Sequence, residues 1–359
     1  MYKQLDRSQL LVRPLHERHN KVLIERDAVH LDAPLNSLPP ESQRVLQETV
    51  ERIRTARDAG RAVVLAFGAH TIKNGLGPVL IRLIESGWVT HLATNGAGII
   101  HDWEFAFQGK SSEDVRRYVN EGQFGIWDET GFNINLALTI GACAGMGYGE
   151  AVGALIENES LIIPATDELT GSAAALDLAE SIRRLNLKPG KRVVPHPYKR
   201  FSVQAAAYRH GVPFTGHPQF GHDIIYTHPA SCGAAIGRTA ERDFLRFAHS
   251  ISQIDGGVYL SIGSAVMSPM IFEKSLSMSN NVSIQQTGKP IRDHFIVVVD
   301  LAASTWDWQH DGEPPTDNAA YYLRYCKTFA RMGGTMRYAH ANNRDFLPAL
   351  WHGLEGSTV

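Results

Sequence analysis

Two short apolar runs, "RAVVLAFGA" (residues 61–69) and "VTHLATNGAG" (residues 89–98), each end in glycine and other small residues and alternate with segments of helical periodicity. This pairing constrains the fold more than any other feature of the chain. A run that is apolar at nearly every position has both faces buried, as a strand inside a parallel sheet does, and parallel neighbours must be joined by crossovers, usually helical. "ESQRVLQETVERIRTARDAG" and "TIKNGLGPVLIRLIESGW" read as such helices. The alternation returns in "ESLIIPA", "KRVVPH", "SVQAAAYRHGVPF", "GGVYLSIGSA" and "DHFIVVVDLAAS", each read as a further strand of the same sheet. The pattern predicts one α/β domain over residues 41–359, built on a single doubly wound, mostly parallel sheet. Residues 1–40 read as an N-terminal arm, closed off by Pro39 and Pro40. Its apolar residues Leu10, Leu11 and Val12 need a surface to cover, which argues for a homo-oligomer.

Charge and cysteine content narrow the function. With 35 basic and 37 acidic residues the formal charge is -2, so no field is expected for nucleic acid or an anionic membrane. The three cysteines, Cys143, Cys232 and Cys326, are far apart and form no CxxC pair, which speaks against a disulfide framework or a cysteine zinc site. No stretch is long and apolar enough to span a bilayer, and the charged N-terminus lacks a signal-peptide core; a cytoplasmic location is the expectation.

In open parallel sheets ligands bind outside the carboxyl ends of the strands, so chemistry is sought there. "AFGAHTIKNG" and "ATNGAG" are glycine-bearing turns leading into helices, suited to a phosphate, although neither is a GxGxxG fingerprint. In "GACAGMGYGEAVGA" the glycines read as close helix packing. "TGHPQFGHDIIYTHP" gathers His217, His222, Asp223 and His228, whose irregular spacing suits a polar pocket better than a metal centre. "STWDWQHDGEPPTDNAAYYLRYCK" places Trp306, Trp308, Asp307, Asp311, Glu313 and Asp317 in one loop. Aromatic faces with carboxylates would receive a cation such as a polyamine.

Taken in order from residue 62 to residue 350, these segments resemble the deoxyhypusine synthase family: "GAHTIKNG", "TNGAGIIHD", "VQAAAYRHGVPF", "GHDIIY", "YLSIGSAV", the acidic loop ending in "YCK", and "YAHA". The resemblance implies a Rossmann-like fold, a homotetramer with active sites at dimer interfaces, and NAD as cofactor. It implies that His70, Thr71, Asn74, Thr94, Asn95, Gly96, His101, Gly263, Ser264, Ala303, Asp307, His340 and Ala341 line the cofactor. It further implies that Lys327 carries an aminobutyl group from a polyamine as an imine, for transfer to an amine or a protein lysine. Asp223 would share the catalysis, and Trp306, Asp311, Asp317, Tyr325 and His222 would hold the substrate. A neutral Lys327 amine is required, and burial beside Tyr325 would lower its pKa. The chain departs from the family in four places. Tyr325 and Cys326 precede the lysine where the family has Trp-Gly, Tyr321 stands where an acid is expected, Pro269 falls near a substrate-contacting histidine, and an acid is missing near Pro218. Two other classes therefore stay open: an idle NAD- or polyamine-binding protein, and a hydrolase holding a metal on His217, His222, Asp223 and His228.

Overall fold

The computed structural model describes residues 2–308 and 310–356. Its centre is a six-stranded parallel sheet of β1 (Val63–Phe67), β2 (His91–Asn95), β3 (Phe214–His217), β4 (Val258–Ile262), β5 (Phe295–Asp300) and β6 (Thr335–His340). The spatial order is β6-β5-β4-β1-β2-β3, with all neighbouring pairs parallel. Starting from β3 this is 3-2-1-4-5-6, the order of dinucleotide-binding sheets, and the winding reverses between β1 and β4.

Sequence pattern explains the layering. In β1, Val63, Leu65 and Phe67 point to one side and Val64 and Ala66 to the other, and all five are buried. The first side packs against α1 (Pro40–Asp58), α3 (Gly77–Glu85) and α11 (Asn343–Leu354). Phe247, Phe272 and Phe329, on α8 (Gly233–Ser252), α9 (Met267–Thr287) and α10 (Arg324–Ala330), cover the second. The short α2 (Ala69–Lys73) follows β1, and α4 (Gly96–Gln108) starts where β2 stops. Asn95 caps α4 by accepting a hydrogen bond from the Gly98 N–H at 2.9 Å. Helices α5 (Asp128–Cys143) and α6 (Tyr148–Asn158) pack closely through glycine, as expected: a methyl group on Gly141 would lie 2.5 Å from the Ala151 Cβ.

Three strand expectations need correction. "ESLIIPA" and "KRVVPH" form a separate antiparallel pair, Ser160–Ile163 with Gly190–Val193, outside the main sheet. Ile162 and Val193 remain exposed, so this pair is a surface ribbon with one solvated face. "SVQAAAYRHGVPF" is mostly helix α7 (Val203–His210), capped by Ser202 and stopped by Gly211, and only Phe214 of that segment enters β3. Three consecutive alanines favour helix over strand, and the cap decides where it starts.

The N-terminal segment also differs from a free arm. Leu15, Ile24 and Ala28 are core residues, and Asn20–Leu23 pairs antiparallel with Lys110–Glu113. Leu11 is left 75% exposed.

Candidate functional site

At the β1–β4 switch point the chain is built for close backbone approach. Gly68 has no side chain because the Gly263 carbonyl occupies that place, and Gly263 itself takes a left-handed φ of 55°. Gly263 is exposed, and the nearest atom to a side chain built there would be the Asn343 Nδ2, at 3.7 Å. Asn343 in turn donates to the Thr71 Oγ1 at 3.1 Å and lies 3.5 Å from the Asn74 Nδ2. Ser264 accepts from the Ser268 N–H and so helps start α9. Thr71, Asn74, Gly263 and Ser264 are thus brought together at the switch, and Asn343, missed in the sequence, completes the group.

Thr94, Asn95 and Gly96 behave differently from expectation. Thr94 is buried and its hydroxyl donates to the Phe67 carbonyl at 2.9 Å, while Asn95 is spent on the cap of α4. The space left by Gly96 is filled by the Asp223 carboxylate, into which any Cβ would run. The glycine admits a side chain of the protein itself, where a dinucleotide was expected. His70, Ala303 and His340 are exposed near the ends of their strands, and Ala341 is buried.

Asp223, His222 and His101 line one cavity of about 290 Å³, together with Lys73 of α2 and Ala97 in the first turn of α4. Burial raises the Asp223 carboxyl to about 6 against the hydrogen bond from the Tyr226 hydroxyl. Also on the cavity's lining, Arg18 forms a bidentate pair with Glu104, at 2.8 and 2.6 Å, and both side chains are buried. Burial alone would push Glu104 up, but Arg18 outweighs it and keeps the carboxyl below its ordinary range. Ser111 donates to Glu104 at 2.5 Å and meets the His101 Nδ1 at 2.7 Å. Burial lowers His101 to about 4, against the pull of Glu104. Arg18, Lys73, Glu104 and Ser111 carried no sequence signal, because their meaning lies in contacts between distant segments.

The metal rival finds no support in geometry. His217 is buried, with its Nε2 2.9 Å from the Thr215 Oγ1; His228 faces Asp128 at 3.2 Å; and His222 is exposed. Among the described residues no three His, Cys, Asp or Glu groups converge to hold an ion.

The acidic loop lies at the other half of the sheet, beside β5 and β6. Trp308 enters the core, Trp306 donates its Nε1–H to the Gly312 carbonyl at 3.0 Å, and Asp307 holds the exposed His310 at 2.8 Å. Trp306 and Asp307 line a cavity of about 370 Å³ with Glu41, Arg337 and Tyr338, while Asp311 and Asp317 are exposed. Tyr325 is half-buried, and burial first, with Tyr338 and Asp300 nearby, raises its hydroxyl. The premise for Lys327 needs correction. Its Nζ sits 2.6 Å from the Glu313 Oε1 and 4.0 Å from the centre of the Tyr321 ring, and the Glu313 hydrogen bond raises its pKa. Glu313 favours the ammonium form of Lys327. Within one chain, Lys327 and the Asp223 cavity occupy opposite halves of the sheet.

Neither a protein-family model nor a curated protein sequence matches the chain. Among solved structures it is similar to AgrE in its ternary complex with ornithine and NAD+, at 15% identity and a TM-score of 0.45, over 90% of this chain and 34% of that one. It is similar to a conserved LOR/SDH protein of Methanococcus maripaludis S2 (11% identity, TM-score 0.46, 90% of this chain and 73% of that one). A protein of Entamoeba histolytica assigned to the deoxyhypusine synthases gives 11% identity and a TM-score of 0.43, over 88% of each chain. The chain spans about a third of the length of AgrE, the first of these. The fold assignment rests on this chain's own strand order.

Proposed function

We propose that this chain is an NAD-dependent enzyme that transfers an aminoalkyl group from a polyamine through an imine on Lys327. One observation carries the NAD reading. The sheet reverses its winding at β1–β4, where Gly263 leaves backbone exposed to a ligand ahead of helix α9, beside buried Ser264 and the Thr71–Asn343 pair. When bound, NAD would accept a hydride from an amine-bearing carbon and return it.

What the chain's own residues contribute is charge exchange at Glu313. In the absence of an amine, Glu313 holds Lys327 as an ammonium. An ammonium end of a polyamine arriving on this carboxylate would take over the pairing, and Lys327, without its counter-ion, would give up its proton to solvent and become nucleophilic. Trp306 offers an aromatic wall nearby, and Tyr321 already faces the Lys327 Nζ. A catalytically idle binding protein is the second reading, favoured by the same ion pair if no amine displaces it.

Titrating NAD against the protein's tryptophan fluorescence tests the cofactor site. Gly263→Val and Asn343→Ala should each weaken binding by at least about tenfold, corresponding to roughly 1.4 kcal/mol. Unchanged affinity in both would remove NAD from the switch point. For the lysine, incubation with NAD and spermidine or putrescine followed by borohydride should leave a mass increase on the Lys327 peptide. Lys327→Arg keeps the charge and should leave none. Absence of any adduct on the parent protein would leave the binding-protein reading.

A further inference from the structure

Buried groups at the 290 Å³ cavity define the tautomer of His101. Glu104 is an ionised acceptor: its Oε1 takes bonds from Arg18 and Thr130, and its Oε2 takes bonds from Arg18 and Ser111. A serine hydroxyl has one proton, and a carboxylate can only accept. The Ser111 proton is therefore committed to Glu104, and Ser111 presents only lone pairs to the His101 Nδ1, 2.7 Å away. For that contact to be a hydrogen bond, Nδ1 must carry the ring proton. The Nε2 of the neutral ring is then a bare acceptor, and the ring lines the cavity. Ser111, Glu104 and Arg18 are all buried, so water does not compete for these bonds.

We infer that Arg18, Glu104 and Ser111 act as positioning residues that hold His101 in its Nδ1–H form, making its Nε2 a permanent acceptor that recognises an N–H donor in this cavity. With Asp223 on the same lining, the Nε2 forms an acceptor pair for an N–H donor, among the donors Arg18, Lys21 and Lys73. An ammonium end of a substrate or the carboxamide NH2 of the cofactor would each satisfy it. The carboxylates lining the cavity are Glu104, Glu113 and Asp223, and the cations are Arg18, Lys21 and Lys73, with His222 also on the lining. Burial is the largest influence on the ring, so it stays neutral through the physiological range. The inference does not depend on Lys327, which lies across the sheet, nor on NAD occupying the switch point.

Two-bond 1H–15N spectra of the histidine rings in the intact chain read the tautomer directly. The parent protein should show His101 with a protonated Nδ1 and a bare Nε2 at pH 7. Ser111→Ala should abolish that preference and let the ring adopt the commoner Nε2–H form, while Ser111→Thr, which keeps the hydroxyl, should restore it. A parent ring already in the Nε2–H form, or a Ser111→Ala ring that keeps Nδ1–H, would overturn the lock. Putrescine and NAD are then added separately. A displaced Nε2 resonance with putrescine identifies an ammonium, and with NAD the carboxamide; no displacement with either would overturn the recognition. NAD binding measured by fluorescence in the same samples separates this result from failure of the cofactor site at the switch.

Discussion

Around the Asp223 cavity the ion pair Arg18–Glu104 is buried and committed, through Ser111, to the neutral ring of His101; beside β5 and β6 the charged groups lie near the surface in exchangeable pairs, as in Lys327, Glu313 and Arg331. The difference follows from solvent. A buried ion cannot change partners without facing its desolvation cost, so the first region is preorganised and suited to recognition. A solvated carboxylate loses little when one cation replaces another, so the second is suited to responding to an arriving amine.

Breaking the buried pair is the largest expected effect. Arg18→Ala leaves Glu104 charged and unpaired, and should lower unfolding stability by about 3–5 kcal/mol in denaturant titration. Glu313→Gln should leave the denaturation midpoint unchanged. If the two variants lost similar stability, the contrast between the regions would fail.

The comparison can be sharpened at Asp223 through pH. Its folded pKa, near 6, lies above the ordinary 3.8, so the folded state holds the proton more tightly than the unfolded chain. The associated stability is present in acid and is lost as pH rises from about 4 through 6. Asp223→Asn should therefore gain up to about 3 kcal/mol relative to the parent at pH 8, with the difference vanishing at pH 3.5. A gain independent of pH would mean that the carboxyl is not held in an unfavourable ionised state.

A smaller effect is expected where Gly96 meets Asp223. Gly96→Ala should destabilise by about 1–3 kcal/mol through overpacking, and Asp223→Ala should relieve most of it, giving a coupling of at least about 1 kcal/mol in a double-mutant cycle. Additive losses would show that the carboxylate does not fill the glycine's place. The smallest effect is on Lys327 itself. Glu313→Gln should lower its pKa from the raised position, seen as faster reductive methylation at pH 8. An unchanged rate would mean that Glu313 does not hold the ammonium.

Sequence legibility followed how local each signal was. Strands β1, β4 and β5 were readable because burial on both faces leaves nearly continuous apolar runs, and β2, "HLATN", because it ends in small residues between two helical segments. Strand β6, "TMRYAH", was not, since it lies at the sheet edge and mixes polar with apolar residues. The turn bearing Thr71 and Asn74 was placed by the end of its strand, while Gly263 and Ser264 came from the family resemblance alone. His101, His222 and Asp223 were expected at different parts of the site, and the cavity that all three line was not foreseen.

By itself, the sequence determined that this chain would wind helices over both faces of a parallel sheet, because side-chain periodicity and small residues at strand ends act within a few positions of each other. Only the tertiary structure decided the strand order and its switch point, the pairing of Lys327 with Glu313, and the line from Arg18 to His101. Arg18 and Glu104 are 86 residues apart, and no local pattern can record a hydrogen bond whose partners meet only after the chain has folded.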